Sequence, residues 1–139
     1  MLIRFLFYGL LGWIMEIVFT GITSLLQGDW RLPGSTFLWM LPIYGMGVFA
    51  ERVHDGIRRW PWMLRGVIWL AFFWTVEYAS GWLLQALTGV CPWDYSASPY
   101  SFHGFIRLDM APDWFAAGLL FEKAHDWLDR ILVRLNSVR

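Results

Sequence analysis

The sequence predicts an all-α integral membrane protein, a four-helix transmembrane bundle that forms a single membrane domain over residues 1–139. Hydrophobic residues make up 58% of the chain, charged residues only 16%, and the mean hydropathy is +0.45. Soluble domains are roughly 45–50% apolar and about 25% charged. The apolar residues also collect in four separate stretches bordered by charged or turn-forming residues.

The four stretches lie at about 5–26, 36–53, 66–87 and 113–132. The first and third have the roughly 20 apolar residues that a bilayer crossing needs, whereas the second is short and the fourth turns amphipathic halfway. The first stretch lacks the small-residue cleavage site of a secretory signal and contains Glu16. We therefore expect it to remain in the protein as the first membrane helix.

The positive charges predict the orientation of the helices. With four crossings, both termini and the loop at 54–65 share one side of the membrane, which would hold nine of the eleven basic residues: Arg4, Arg52, Arg58, Arg59, Arg65, Lys123, Arg130, Arg134 and Arg139. The other side would hold Arg31 and Arg107. The positive-inside rule then predicts a multi-pass protein of the cell (inner) membrane with both termini in the cytoplasm.

Glu16 is a carboxylate in the middle of the first membrane stretch. A charged side chain there costs roughly 2.5–3.5 kcal/mol on insertion scales, so it is retained only where partners or water satisfy it. Small and polar residues share one helix face with Glu16 at three- and four-residue steps before and after it, among them Gly9, Gly12, Trp13 and Thr20. This stripe predicts a face that packs against protein and not lipid.

The third stretch repeats the pattern, with Glu77 three residues after Trp74, as Glu16 follows Trp13. The same alignment also matches Leu26 to Leu87 and Gly28 to Gly89, which suggests two helical hairpins related as a parallel repeat. Both carboxylates lie about eleven residues from the cytoplasmic start of their stretch, about 16 Å deep. We expect them to meet near the midplane, where they would share a proton and release it with pH.

The second stretch contains Pro42 followed by glycines at positions 45 and 47. Proline removes a backbone donor, and free backbone groups at membrane depth are tolerated only inside protein or beside a wet cavity. Tyr44 lies in this segment at a depth similar to that of the two carboxylates. It therefore joins Glu16 and Glu77 as a predicted binding residue.

The loop at 89–112 is long for a bundle connection and rich in functional side chains, including Asp94, Tyr95 and Arg107. Long loops without evident structure are often lids or binding elements, and residues 102–108 are apolar enough to dip back into the membrane interface. His103 has no partner histidine at a standard metal-site spacing, and the single Cys91 permits no cysteine cage. We expect no metal, no cofactor and no catalytic residue.

The fourth stretch predicts an amphipathic helix that leaves the membrane. Its apolar face would contain Trp114, Ala117, Phe121, Ala124, Leu128, Ile131 and Leu135, and its polar face Glu122, Lys123, Asp126, Asp129 and Arg130. On this interpretation His125 is a solvated residue, and Asp113 caps the start of the helix.

These segments resemble the CmpB-type family of type IV ABC-transporter membrane proteins, in particular its branch with the eukaryotic transmembrane protein 229 group. The most specific blocks are residues 34–45, which read GSTFLWMLPIYG, and residues 93–96, which read WDYS. Weaker blocks lie at 8–20, 77–78 and 104–114. Phe105 stands directly after Gly104, where the family usually has an arginine, and Arg107 follows only later. The resemblance implies a multi-pass membrane fold and a transport role.

The sequence therefore favours a transporter or channel component whose Glu16 and Glu77 bind a cation, protons or a polar substrate. Its partners would be the lipid bilayer and either further copies of the chain or other membrane subunits; the zero net charge argues against nucleic acid. No phosphate-binding Gly-x-x-x-x-Gly-Lys-Ser/Thr motif occurs, so any ATPase would be a separate chain. One alternative is a non-catalytic membrane subunit that assembles or regulates partner proteins. Another is an intramembrane enzyme acting on a lipid, with Asp94, His103 and Arg107 as acid, base and anion holder.

Overall fold

A computed structural model describes residues 1–137 and is mostly helical. The helices are α1 (Leu2–Leu26), α2 (Met40–Gly45), α3 (Gly47–Ile57), α4 (Trp62–Thr88) and α5 (Ala111–Ser137). Between α4 and α5 lie two short strands, β1 (Ser101–Phe102) and β2 (Ile106–Arg107), and a 3₁₀ helix, Leu108–Met110. Arg139, one of the charges used to predict the orientation, lies outside the described residues.

Within residues 1–137, α1 and α4 are the helices long and apolar enough to cross a membrane, with mean hydropathies of 1.8 and 1.3 over their most apolar windows. At 1.5 Å per residue they are about 37 Å and 40 Å long, more than the roughly 30 Å hydrocarbon layer. These two helices and the composition point to a membrane protein. They coincide with the first and third predicted segments and extend each by a few residues.

The second predicted segment, 36–53, forms two short helices instead of one. Helix α2 begins only at Met40, and Met46 separates it from α3. Pro42 offers no backbone donor, and the glycines at 45 and 47 have low helix propensity. Pro42 itself lies in the first turn of α2, where no backbone donor is needed, so the break at Met46 is explained by the two glycines.

The chain divides into two compact units, residues 1–53 and a second unit that begins at His54. In the first unit, α1 packs against α2 through its small residues. A Cβ on Gly12 would lie 2.4 Å from Cγ of Tyr44, and one on Gly9 would lie 2.8 Å from the carbonyl oxygen of Leu41. The small-residue face of α1 thus faces protein, as its spacing predicts.

In the second unit, α4 packs against α5. Trp69 is fully buried, and a Cβ on Gly118 would lie 2.1 Å from its side chain. A Cβ on Gly66 would likewise lie 2.1 Å from the ring of Phe115. Glycines on both helices therefore make room for large aromatic rings on the opposite helix.

The long loop is folded onto α4. Strands β1 and β2 pair antiparallel, and the turn between them has positive φ at His103 (53°) and Gly104 (76°), the combination that type I′ turns require. Trp93 is buried and donates from Nε1 to the carbonyl oxygen of Phe105 at 3.1 Å. Phe105 is itself buried in the unit, so part of the apolarity of this loop serves its own packing.

Helix α5 differs from its prediction in its start and in its buried face. It begins at Ala111, so Asp113 lies in the first turn and is not the cap. Glu122 and His125, both predicted to be solvated, are only 4% and 3% exposed, whereas Leu135 of the predicted apolar face is 62% exposed. The prediction was wrong because Glu122 pairs with Arg65 of α4, and the His125 ring packs against that of His54, contacts between elements that helical periodicity does not reveal.

Candidate functional site

Glu16 lies midway along α1 and is hydrogen-bonded to two hydroxyl groups. Its Oε2 accepts a hydrogen bond from Thr36 Oγ1 at 2.7 Å and another from Tyr44 OH at 2.8 Å. The side chain is partly buried. A carboxylate in an apolar segment thus has two short hydrogen bonds that stabilise its charge.

The segment 33–39 is fastened to α1 on either side of Glu16. Trp13, three residues before Glu16, donates from Nε1 to the carbonyl oxygen of Phe37 at 3.0 Å. Thr20, four residues after it, accepts from the backbone N–H of Ser35 at 2.8 Å. These contacts position the Thr36 hydroxyl over the carboxylate. The predicted residues Trp13, Thr20 and Tyr44 are therefore brought together around Glu16.

Glu77 lies midway along α4 and is 8% exposed. Its Oε1 accepts a hydrogen bond from Tyr95 OH at 3.1 Å. The backbone N–H of Tyr95 donates to the carbonyl oxygen of Gly104 at 3.0 Å, so the β1–β2 turn fixes the tyrosine in place. The guanidinium carbon of Arg107 lies 5.9 Å from the centre of the Tyr95 ring, within the range of a cation–π contact.

The other predicted residues of the loop have local partners. Asp94 is exposed, and hydrogen bonds from Ser96 hold the pKa of its carboxyl below the ordinary value. Arg107 forms a bidentate ion pair with Asp109, with an Nε to Oδ1 distance of 3.1 Å. This pair lowers the pKa of Asp109. Arg107 is thus held beside Tyr95 and Asp109, while Asp94 turns toward solvent.

Trp74 does not reproduce the role of Trp13. Its indole Nε1 is buried and has no hydrogen-bond partner within residues 1–137, whereas Trp13 donates to Phe37. The shared features of the two carboxylates are their position midway along a membrane-length helix and a tyrosine hydroxyl from a later segment. Glu16 and Glu77 belong to different units, and their meeting stays a prediction.

Sequence reasoning missed a polar group at the end of the first unit. Glu51 of α3 accepts hydrogen bonds on Oε1 from Arg4 Nη1 and from Tyr8 OH, both at 2.7 Å. Glu51 is more than 40 positions from both donors, whereas Arg4 and Tyr8 are one helical turn apart. That turn spacing was the available signal.

A second missed cluster lies in the second unit, around the buried Glu122. Its Oε1 accepts from Trp69 Nε1 at 2.9 Å and lies 3.2 Å from Arg65 Nε and 3.6 Å from His54 Nδ1. His54 and His125 are 71 positions apart, and their rings pack edge to face with centres 5.1 Å apart. Spacing rules within one segment do not find such a pair.

The sequence model of one protein family, described as Putative ABC-transporter type IV, matches residues 3–138. No solved structure matches the chain.

Proposed function

Because the chain belongs to the Putative ABC-transporter type IV family, we propose that it is a small multi-pass membrane component of a transporter. In this proposal Glu16 and Glu77 bind a cation, a proton or a polar substrate. Four crossings are part of the proposal, with α1 and α4 as two of them, as is the placement of both termini in the cytoplasm. Membership of the transmembrane protein 229 branch likewise stays a prediction.

The observation that supports the proposal is the position of the two carboxylates, each midway along a helix of membrane length. Glu16 is 14 residues from the start of α1 and Glu77 is 15 residues from the start of α4. At 1.5 Å per residue, both lie about 21–22 Å along helices about 37–40 Å long. Because ionisable groups at such depth are costly, they mark ion or substrate pathways more often than packing.

The partners of the carboxylates indicate the kind of ligand. Tyrosine and threonine hydroxyls donate to an ionised carboxylate and can also accept from a protonated one. When a cation replaces the donated hydrogen bonds, the same oxygens can turn toward it, and hard cations prefer oxygen ligands. Both sites are therefore suited to exchanging a proton or a small cation.

Energy coupling through ATP would need a second protein. The sequence contains no phosphate-binding motif, so a nucleotide-binding subunit would be a separate chain. A chain of this length would enclose a path together with further copies of itself or with other membrane subunits.

Flux measurements on purified protein in liposomes test the proposal. We expect proton or monovalent-cation flux that falls about tenfold or more in Glu16→Gln and in Glu77→Gln, since each change removes a charge but keeps the side-chain shape. Asp29→Asn is the matched control, because Asp29 carries the same change in an exposed turn where it pairs with Arg31. Wild-type flux equal to that of empty liposomes, or unchanged flux in both glutamine variants, would contradict the proposal.

A non-catalytic subunit is the second candidate, and exposed apolar side chains on α5 favour it. Val133 and Leu135 are 68% and 62% exposed near the end of that helix. In that case Leu135→Asp would abolish co-purification of partner chains, whereas the liposome assay would show no flux in any variant. Those two results together would select this candidate over transport.

A further inference from the structure

Two imidazoles and a carboxylate in the second unit have the arrangement of a metal site. One possible ligand atom from each of His54, His125 and Asp126 lies within 4.8 Å of the others. The Nε2 atom of His54 is 3.4 Å from Oδ1 of Asp126. Ligands about 2.0–2.1 Å from a tetrahedral ion are separated by about 3.3 Å, so this spacing already fits one.

Each imidazole lies beside an outer carboxylate, the kind of group that orients metal-binding histidines. Nδ1 of His54 lies 3.6 Å from Oε1 of Glu122, which leaves Nε2 directed at Asp126. For His125, Nε2 lies 3.4 Å from Oδ2 of Asp129. His54 and His125 are 2% and 3% exposed, so their rings have little freedom to turn away.

The guanidinium of Arg58 lies where a bound cation would be expected. Its Nη2 donates to Oδ1 of Asp126 and to Nε2 of His54, the latter at 3.1 Å. One guanidinium nitrogen is thus placed between two of the three ligand atoms. The Arg58 side chain is 52% exposed, so it can swing into solvent without breaking a core.

The charges of the cluster favour a divalent ion once Arg58 moves out. Glu122, Asp126 and Asp129 contribute three negative charges, and Arg65 beside Glu122 contributes one positive charge. With neutral imidazoles the remainder is two negative charges, which a divalent cation balances. Imidazole ligands select transition metals over Mg²⁺ and Ca²⁺.

We propose that His54, His125 and Asp126 bind a divalent transition metal ion such as Zn²⁺, and that Arg58 competes with the ion for this site. Three protein ligands leave one tetrahedral position open for water or another small ligand. This inference does not depend on the proposed transport function, because the carboxylates Glu16 and Glu77 take no part in it.

Zinc titration of the full chain in detergent, purified without a polyhistidine tag, tests the site. We expect one Zn²⁺ per chain, bound in competition with a chromophoric chelator and unaffected by millimolar Mg²⁺. X-ray absorption of the bound zinc would show nitrogen and oxygen neighbours without sulfur. His125→Ala should weaken binding by about 100-fold or more, and Glu122→Gln by about 10- to 100-fold, the usual cost of losing an outer partner.

Arg58→Gln is expected to change the Zn²⁺ affinity in the opposite direction, which distinguishes loss of the site from simple misfolding. Removing the competing charge should tighten Zn²⁺ binding by about tenfold, which a damaged protein would not do. Arg59→Gln and His103→Gln are matched controls, since both residues are exposed and lie outside the cluster. Wild-type stoichiometry below one Zn²⁺ per chain, or equal affinities in Arg58→Gln, Arg59→Gln and wild type, would overturn the proposal and leave an ion-pair cluster.

Discussion

At the scale of single residues, the contacts of Glu16 show what a sequence can and cannot predict. Its neighbourhood with Tyr44 follows from matched depth on two apolar segments, and the structure places the hydroxyl 2.8 Å from the carboxylate. The sequence predicts Thr36 at the start of a helix and therefore does not predict its hydrogen bond to Glu16. The bond depends on an extended segment whose path is set by Trp13 and Thr20, which no local propensity encodes.

Gly12→Ala is predicted to damage the Glu16 site. The added Cβ would lie 2.4 Å from Cγ of Tyr44, so the tyrosine ring must move away from α1 and from the carboxylate. Overpacking of this kind costs about 1–3 kcal/mol. Thermal unfolding in detergent measures the loss.

Gly56→Ala is the control for this prediction, because a Cβ on Gly56 meets nothing within 4 Å. In that exposed helical position alanine should be neutral or stabilise by up to about 1 kcal/mol. Equal unfolding temperatures for the two variants would show that Tyr44 does not need the space beside Gly12.

At the scale of elements, the apolar stretches predict where long helices form but not which helix faces are buried. Helices α1 and α4 follow from length and composition, since each has about 20 predominantly apolar residues, enough to cross a bilayer. The buried face of α5 does not follow, because Glu122 is stabilised inside the unit by Trp69 and Arg65 from α4. The break between α2 and α3 is indicated in the sequence only by the glycines at 45 and 47, on either side of Met46.

The junction between β2 and α5 should weaken in acid. Arg107 lowers the pKa of Asp109 below its ordinary value of 3.8, so the folded state binds a proton less readily than the unfolded state. The stabilisation is present above pH 3.8 and is lost as the pH falls through the lower folded-state pKa. In Asp109→Asn the unfolding temperature should therefore be lower than that of wild type at pH 7, and the difference should shrink as the pH falls below 3.8.

Arg107→Gln is the complementary variant, because it removes the other half of the same ion pair. The difference in unfolding temperature between Arg107→Gln and wild type should shrink over the same acid range. The double variant should be no less stable than the less stable of the two single variants. If the difference in unfolding temperature between wild type and Asp109→Asn stays constant from pH 7 to pH 3, the ion pair is not stabilising.

At the scale of the whole molecule, the distribution of basic residues predicts the side on which each loop lies. In a Cys91→Ser background, cysteine at position 90 would report on the loop after α4, and cysteine at position 133 would report on the end of α5. Val90 and Val133 are 66% and 68% exposed, so both positions suit labelling. Replacing Cys91 also avoids a thiol whose pKa is raised by burial and which reacts slowly.

We expect a membrane-impermeant maleimide to label Val90→Cys in intact cells and Val133→Cys only after the membrane is opened. Within residues 1–137, two helices have membrane length. Helices α2 and α3 have only 6 and 11 residues, and α5 carries many charged residues, so labelling is needed to count the crossings. The labelling pattern decides this point: the reverse pattern would invert the orientation, and equal labelling in intact cells would require an even number of crossings between the two positions.

The fastening of residues 33–39 across α1 links the chemistry of Glu16 to backbone mobility. Thr36 belongs to this covering segment and also donates to the carboxylate, so any ligand that draws Glu16 away removes one of its attachments. Trp13 and Thr20 would still hold it at either side, and the segment would loosen without detaching. Deuterium uptake by the amides of residues 35–37 would then increase when a ligand occupies Glu16, and would report on that occupancy.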